Sequence, residues 1–370
     1  MIRKSWASYK VWGGALLLVA GVVIASGMAK VKANGPDDAA LDMKVASYIR
    51  ARFGWPETLK ATVSPFQASS FPGFLASMLT TDDGKQQRNT PIFLTSDHHY
   101  LIIGMLFAVV KDPKEELIQH IREEFKVPSE TTLTAGSFHN SGIPNFLATT
   151  VTADNPKGKQ TEDFYITSDN RVLVLGRIFN LGVDLRQKAL RTMVTTNQPT
   201  QGAANALVTI VEYADLECPM CGKLHEFLEK DLLPKYGDKV RVIFKEFPLV
   251  QIHDWSLTAA IANECVYKIK PEAFAAYRSL VFQNQSTTNV ANVRDNLLGY
   301  ADQLGVDRAK LAGCLDSKAS LPRVEEGARE AKELDLGSTP TSFINGRMLV
   351  GFTTPEAYYG AVDAALKDAK

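Results

Sequence analysis

The sequence predicts an α/β domain over residues 207–370, built as β-α-β, a helical insertion and a ββα finish, with two repeated α+β domains before it. Three observations predict this. A β-branched run at 207–213 leads into a segment with apolar residues at helical spacing, Leu224, Phe227, Leu228 and Leu232. Two short apolar stretches flank Asn345-Gly346, a hairpin-turn pair, and a helix-patterned segment at 354–366 follows. Residues 49–112, laid over 121–184 without a gap, agree at 21 of 64 positions, against about four expected from average composition.

The chain has 370 residues, enough for two or three domains with separate cores. Its apolar share of 45% and charged share of 22% are those of a globular protein. A formal net charge of zero leaves no electrostatic footprint for nucleic acid. At the N-terminus, Arg3, Lys4 and Lys10 flank residues 11–29, which carry no charge. Residues 1–33 therefore read as a secretory signal or an N-terminal membrane anchor, with Val31-Lys32-Ala33 a candidate cleavage site. The positive flank keeps the N-terminus cytoplasmic, so either reading exports the rest to a compartment where disulfides persist.

The repeats occupy residues 40–114 and 115–190. Each opens with an amphipathic helix, 41–53 or 115–125, stopped before Pro56 or Pro128. Strand-like stretches follow at 73–80, 91–95 and 100–107 in the first copy. Ser96-Asp97-His98-His99 and Ser168-Asp169-Asn170-Arg171 read as hairpin turns, and His98 and His99 as solvated turn residues rather than metal ligands. Two copies are too few for a solenoid. Residues 191–206, polar and small with Pro199 and Gly202, read as a linker.

Cys218-Pro219-Met220-Cys221 lies where the first strand of the α/β domain meets its helix, with Pro219 in the first helical turn. Unpaired N–H groups and the positive end of the helix dipole there favour a thiolate at Cys218. A zinc reading would add His225 as a third ligand, but structural sites want a fourth. Cys265 and Cys314 are 49 apart and form no knuckle, so no metal and no cofactor is expected. In an exported chain with four cysteines, a structural Cys265–Cys314 disulfide is favoured over free thiols or a second redox pair. Residues 239–244 read as a second strand and 255–335 as helical; His253 and Asp254, just before, read as packing or capping groups.

"VTIVEYADLECPMC", "GSTPTSFING" and "GCLDS" resemble the motifs of DsbA-like thiol–disulfide oxidoreductases, which have a thioredoxin fold with a helical insertion. The resemblance covers the whole C-terminal half. It implies Cys218 as attacking thiolate, Cys221 as resolving thiol, and Thr339-Pro340 as a cis-proline pair presenting its backbone to a substrate chain. Glu212, six residues before Cys218, matches the family's buried acid, which exchanges a proton with the resolving cysteine; Lys245 is a candidate partner for it. One departure counts. The strongest oxidants of the family carry histidine between the cysteines, whereas Met220 cannot donate to a thiolate, so a less acidic Cys218 and an open direction of electron flow are expected.

In the repeats, the helix–Phe–Pro pattern, "SPFQASSFPGFLASML" and "PIFLTSDHHYLIIGMLF" resemble the cystatin-like N-terminal dimerisation domain of DsbC and DsbG, which occurs there singly. The short tether at 110–116 implies that the two copies pair within one chain. The expected function is disulfide formation or exchange in cysteine-containing exported proteins, in the periplasm or an equivalent extracytoplasmic space, with a membrane or soluble redox partner. The alternatives are an isomerase or reductase kept reduced by a membrane partner, and a peptide-binding chaperone with a vestigial redox site.

Overall fold

The computed structural model describes residues 36–156 and 158–369; the expected leader at 1–33 lies outside the described residues. Among the described residues no helix is long and apolar enough to cross a membrane. The described residues form two compact units, one comprising 36–49 and 59–183, the other 50–58 and 184–369.

In the first unit the two repeats run through the same order of elements. Helix α1 (Pro36–Phe53) precedes strands β1 (Lys60–Val63), β2 (Gln67–Ala68), β3 (Phe74–Asp82), β4 (Gln87–Thr95) and β5 (Tyr100–Ala108). Helix α2 (Pro113–Glu124) precedes β6 (Thr132–Ala135), β7 (His139–Asn140), β8 (Phe146–Asn155), β9 (Gly158–Thr167) and β10 (Val172–Asn180). Asp112 caps α2 by accepting from the Lys114 and Glu115 N–H groups, Pro113 fills a first-turn position, and Leu117 and Ile121, four apart, form its buried stripe. The β3–β4 hairpin reaches further than the sequence pattern, which stops the strands at residues 80 and 91. Its tip is polar and exposed, so no apolar alternation marks it; backbone pairing and a Thr80–Asn89 hydrogen bond of 2.9 Å carry it instead.

All ten strands belong to one sheet, ordered β1-β3-β4-β5-β10-β9-β8-β6, with β2 on β3 and β7 on β8. The copies meet at β5 and β10, antiparallel from Tyr100↔Asn180 to Ala108↔Val172, with Gly104 opposite Gly176 at the centre. Those glycines are 72 positions apart, so the pairing relates the copies by a local two-fold axis between them. Only glycine fits there. A Cβ on Gly104 would lie 2.4 Å from the Leu175 carbonyl oxygen, and one on Gly176 2.4 Å from that of Ile103. Leu173 and Leu175 pack with α2 residues, while Val172 and Val174 pack with Ile102, Leu106, Phe74 and Phe146. Alternate residues point to opposite faces, so the sheet carries a core on each side.

The second unit begins earlier than the expected boundary. Helix α3 (Leu185–Thr192) buries Ala189 among Met193, Val211, Tyr213 and Phe343, and the stretch read as a linker contains strand β11 (Thr200–Gly202), antiparallel to β13 (Val240–Glu246). Small polar residues suit an edge strand as well as a linker, and only a partner strand distinguishes the two. The sheet order is β11-β13-β12-β14-β15, with β12 (Val208–Ala214) parallel to β13 and antiparallel to β14 (Thr341–Ile344), and β15 (Arg347–Val350) at the other edge. Asn345 and Gly346, both at positive φ (46° and 82°), make the β14–β15 turn. Helix α4 (Pro219–Phe227) continues through a π-helical turn, Leu228–Leu232, into α5 (Leu233–Tyr236), whose Pro234 supplies no N–H. The insertion between β13 and β14 comprises α6 (Ser256–Ile269), α7 (Phe274–Gln283), α8 (Val293–Gln303), α9 (Arg308–Asp316) and α10 (Leu321–Glu333). Helix α11 (Pro355–Asp368) closes the chain. Val208 and Ile210 join the core with Leu224, Phe227 and Tyr358, while Val211 and Tyr213 face the core of α3, so β12 is buried on both sides.

Candidate active site

Cys218 is the N-cap residue of α4, in extended conformation, and Pro219 begins the helix. A buried strand thus delivers the cysteine to the end of a helix where N–H groups lack intrahelical acceptors. Both Cys218 and Cys221 are free thiols. They differ in access: Cys218 keeps 8% of its surface exposed and Cys221 none.

Their acidities differ in the same sense. The Cys218 thiol is brought down to about 6, first by the Cys221 thiol donating to it, with the backbone N–H groups of Cys221 and Met220 and the side chain of Thr339 adding to this against the cost of burial. Burial pushes the Cys221 thiol well up, and the neighbouring Cys218 and Glu212 charges reinforce this. Met220, 37% exposed, gives Cys218 only its backbone. The main-chain donors at the helix start act as the sequence reading expected, and the Cys221 thiol, which that reading did not count, contributes most.

Thr339-Pro340 is a cis peptide, and the Cys218 thiol lies 3.5 Å from the Thr339 carbonyl oxygen. The Asp215 N–H donates to Cys221 Sγ at 3.5 Å. Cys265 and Cys314 are bridged, S–S 2.00 Å, joining α6 to α9.

Glu212 is fully buried on β12, and burial raises its pKa. Its cationic partner is Arg278 of α7, whose Nη2 donates to Glu212 Oε2 at 3.2 Å. Lys245, the candidate from sequence, pairs with Glu330 at 2.9 Å instead. The sheet explains the correction. Glu212 lies opposite Phe244 and Tyr213 opposite Lys245, so alternation turns Lys245 to the face of Tyr213, whose hydroxyl also donates to Glu330. His225 is buried, its Nε2 2.7 Å from Ser279 Oγ and its ring 5.0 Å from that of Phe282; burial and Arg278 lower its pKa to about 3. His253 Nδ1 lies 2.7 Å from Asp215 Oδ2, which raises the His253 pKa.

Three side chains escaped the sequence reading. Gln285 donates its amide to the carbonyl oxygens of Leu216 (2.7 Å) and Cys218 (3.0 Å), tying the insertion to the cysteine loop. Arg278 and Glu246 are buried and paired at 3.2 Å. The signal for Arg278 was present: a lone cation in the apolar helix "FAAYRSLVF" cannot be buried without an anion.

Residues 194–364 match the family model described as Thioredoxin. That match spans a β-α-β unit, an insertion of five helices and a ββα unit. The C-terminal half has a thioredoxin fold with a helical insertion. Disulfide bond formation protein D of Bacillus subtilis is 28% identical over 177 residues, 46% of this chain and 78% of that protein. The antiporter named Na(+)/H(+) antiporter NhaA 3, of Salinispora tropica, is 32% identical over 170 residues, 46% of this chain but 25% of the antiporter. The chain thus spans about a quarter of the length of that relative, and the thioredoxin domain accounts for less than half of this chain. Among solved structures, oxidised BdbD from Bacillus subtilis shows 24% identity and a TM-score of 0.42, covering 47% of this chain and 95% of its own. The catalytic domain of Proteus mirabilis ScsC shows 23% identity and a TM-score of 0.43, covering 50% and 99%.

Proposed function

We propose that the protein is an exported thiol–disulfide oxidoreductase acting on protein cysteines through Cys218 and Cys221. The observation that carries this is the asymmetry of the pair: an acidic thiol that keeps a small exposed edge, beside Thr339, backed by a fully buried thiol held protonated. Such a pair reacts in a fixed order. The Cys218 thiolate attacks one sulfur of a substrate disulfide; a mixed disulfide forms, and the electron pair of the broken bond leaves on the other sulfur. Cys221 then gives its proton to Glu212 and attacks Cys218 Sγ, which releases the substrate thiolate and leaves the enzyme oxidised. Run in reverse, the same steps oxidise a dithiol. Thr339 and Pro340 flank the reacting sulfur and hold the substrate backbone, while the Cys265–Cys314 bridge is structural. The leader and that bridge support a periplasmic or equivalent extracytoplasmic setting, with a membrane or soluble partner resetting the redox state.

A second reading, an isomerase or reductase kept reduced by a membrane partner, draws support from the paired repeats, which are similar to the dimerisation domains of DsbC and DsbG. Cys221→Ser tests the chemistry common to both readings. It should accumulate dithiothreitol-sensitive adducts on Cys218 in cells, and absence of adducts from a folded variant rejects thiol exchange in favour of a peptide-binding role. The redox state of the wild-type pair in cells then gives direction: oxidised for disulfide formation, reduced for isomerisation or reduction.

A further inference from the structure

Behind the thiol pair lies a group of buried charges that the exchange steps leave unused. Arg278 is fully buried, and its guanidinium forks between two carboxylates: Nη2 reaches Glu212 and Nη1 reaches Glu246, each at 3.2 Å. It is also sandwiched by rings, its Cζ 4.9 Å from the centroid of Phe244 and 5.0 Å from that of Phe282. One cation therefore serves two buried acids, and the two acids are not equivalent. Each acid keeps one oxygen without a hydrogen-bond partner, Glu212 Oε1 and Glu246 Oε2, but Glu246 Oε1 also accepts from the Asn263 amide at 2.7 Å, a second donor that Glu212 lacks. Burial pushes both carboxyls up, Glu246 to about 8; the one with the second donor ionises first, and the other keeps its proton to higher pH.

The surroundings sharpen this division. Facing Glu212 are Cys218 and Cys221 of α4, Glu229 of the π-helical turn and the Tyr358 hydroxyl of α11. Facing Glu246 are Glu264 of α6 and Asp215 at the end of β12. These groups are anionic or neutral. His225 of α4, close to Arg278, stays neutral because burial brings it down to about 3.

We propose, on the thiol-exchange reading above, that Glu246 is a positioning residue: by holding the Arg278 cation it raises the proton affinity of Glu212, the group that exchanges a proton with Cys221. In the opening step, a thiolate attacks Cys218 in the Cys218–Cys221 disulfide. The new bond forms at Cys218 Sγ, the old S–S electron pair stays on Cys221 Sγ, and the proton of Glu212 goes to that sulfur. Without Glu246 the whole guanidinium falls to Glu212, which ionises at lower pH and no longer has a proton to give.

The test is the reaction of the oxidised full chain with dithiothreitol, followed by stopped-flow fluorescence across pH and corrected for thiolate concentration. The corrected rate falls as Glu212 ionises. Glu246→Gln should move that inflection at least about one pH unit lower. Glu212→Gln should abolish it, and Glu212→Gln/Glu246→Gln should match Glu212→Gln alone. Asn263→Ser, which removes only the second donor to Glu246, should move the inflection the same way by a smaller amount, and serves if Glu246→Gln does not fold. An unmoved inflection in a folded variant, or a slowing equal at every pH, overturns the proposal. A chain whose oxidised pair does not react with dithiothreitol at all overturns the thiol-exchange reading itself.

Discussion

The centre of the ten-stranded sheet offers a sharp physical test: replace Gly104 or Gly176 with alanine. At position 104 the new Cβ would lie 2.4 Å from the Leu175 carbonyl oxygen and 2.6 Å from the Gly176 Cα; at 176 it would lie 2.4 Å from the Ile103 oxygen and 2.8 Å from the Gly104 Cα. Every one of those atoms is backbone, in strands tied along nine paired positions, so no side chain can move aside. Relief requires β5 and β10 to separate locally, an overpacking cost of about 1–3 kcal/mol. Gly104 carries a second cost, because its φ of +147° is unfavourable for an L-residue, which adds roughly 1–3 kcal/mol. Against both stands a gain of about 0.4–1 kcal/mol from the less flexible unfolded chain. The net is about 1–2 kcal/mol for Gly176→Ala and about 2–4 kcal/mol for Gly104→Ala. Hydrogen exchange of peptides covering 100–108 and 172–180 reads this pair separately from the thioredoxin domain. Protection should fall about tenfold for Gly176→Ala and about a hundredfold for Gly104→Ala, at about 1.4 kcal/mol per factor of ten. Protection unchanged in both variants would refute the idea that the copies join through this glycine pair.

Other outcomes follow from the same structure. Met220→His adds a donor that the present dipeptide lacks, so thiolate absorbance should place the Cys218 pKa below about 6 and the disulfide should become more oxidising; an unchanged or raised pKa counts against it. Cys265→Ser/Cys314→Ser opens a bridge across a separation of 49 residues, worth up to about 4 kcal/mol; it should melt earlier yet keep insulin-reduction turnover, and lost turnover in a folded variant would bring the bridge into the mechanism. Burial raises the Glu264 carboxyl to about 7 from 4.5, so between those values the folded chain binds more protons than the unfolded one and this group's contribution falls as pH rises. Glu264→Gln should therefore gain stability relative to wild type from pH 4.5 through 7 in urea titrations, and a constant difference would contradict the burial account. Pairing of the copies within one chain leads to a monomer in light scattering of the region from Asn34 onward; a dimer lost on deleting residues 40–114 would show pairing between chains.

What the sequence revealed and what it hid divide along physical lines. Local chemistry was readable: Pro219 after Cys218 marks a helix start, Asn345-Gly346 marks a hairpin, and the β-branched run at 207–213 marks a buried strand, which the structure places at 208–214. Residues whose role depends on a distant partner were not. Lys245 is three residues along β13 from Val242 and has the right charge for Glu212, yet register places it on the opposite face. Arg278 is 66 positions from Glu212, and no local pattern pairs them. Thr200–Gly202 has no strand signature of its own and becomes one by lying against β13. The polar tip of the β3–β4 hairpin escaped for the related reason that exposed strands lack an apolar period.

The partition of labour in the site explains how it dispenses with a polar side chain between its cysteines. Cys218 draws its acidity from groups any dipeptide would supply: the Cys221 thiol, two backbone N–H groups at a helix start, and Thr339 opposite. The helical insertion supplies the rest. Gln285 fixes the carbonyls on either side of Glu217, one of them that of Cys218, and Arg278 brings the cation that makes a buried acid on β12 tolerable. A guanidinium can do this because its fork satisfies two carboxylates at once, where an ammonium would offer a single point charge. Arg278→Lys should thus be a poor substitute: folded, still reactive at Cys218, but with Glu212 and Glu246 no longer bound to the same cation. In such a variant the thiolate absorbance of Cys218 should titrate as in wild type while the proton-dependent step at Cys221 shifts. That separation would show that, in one site, the main chain serves the Cys218 sulfur while the insertion serves the Cys221 sulfur.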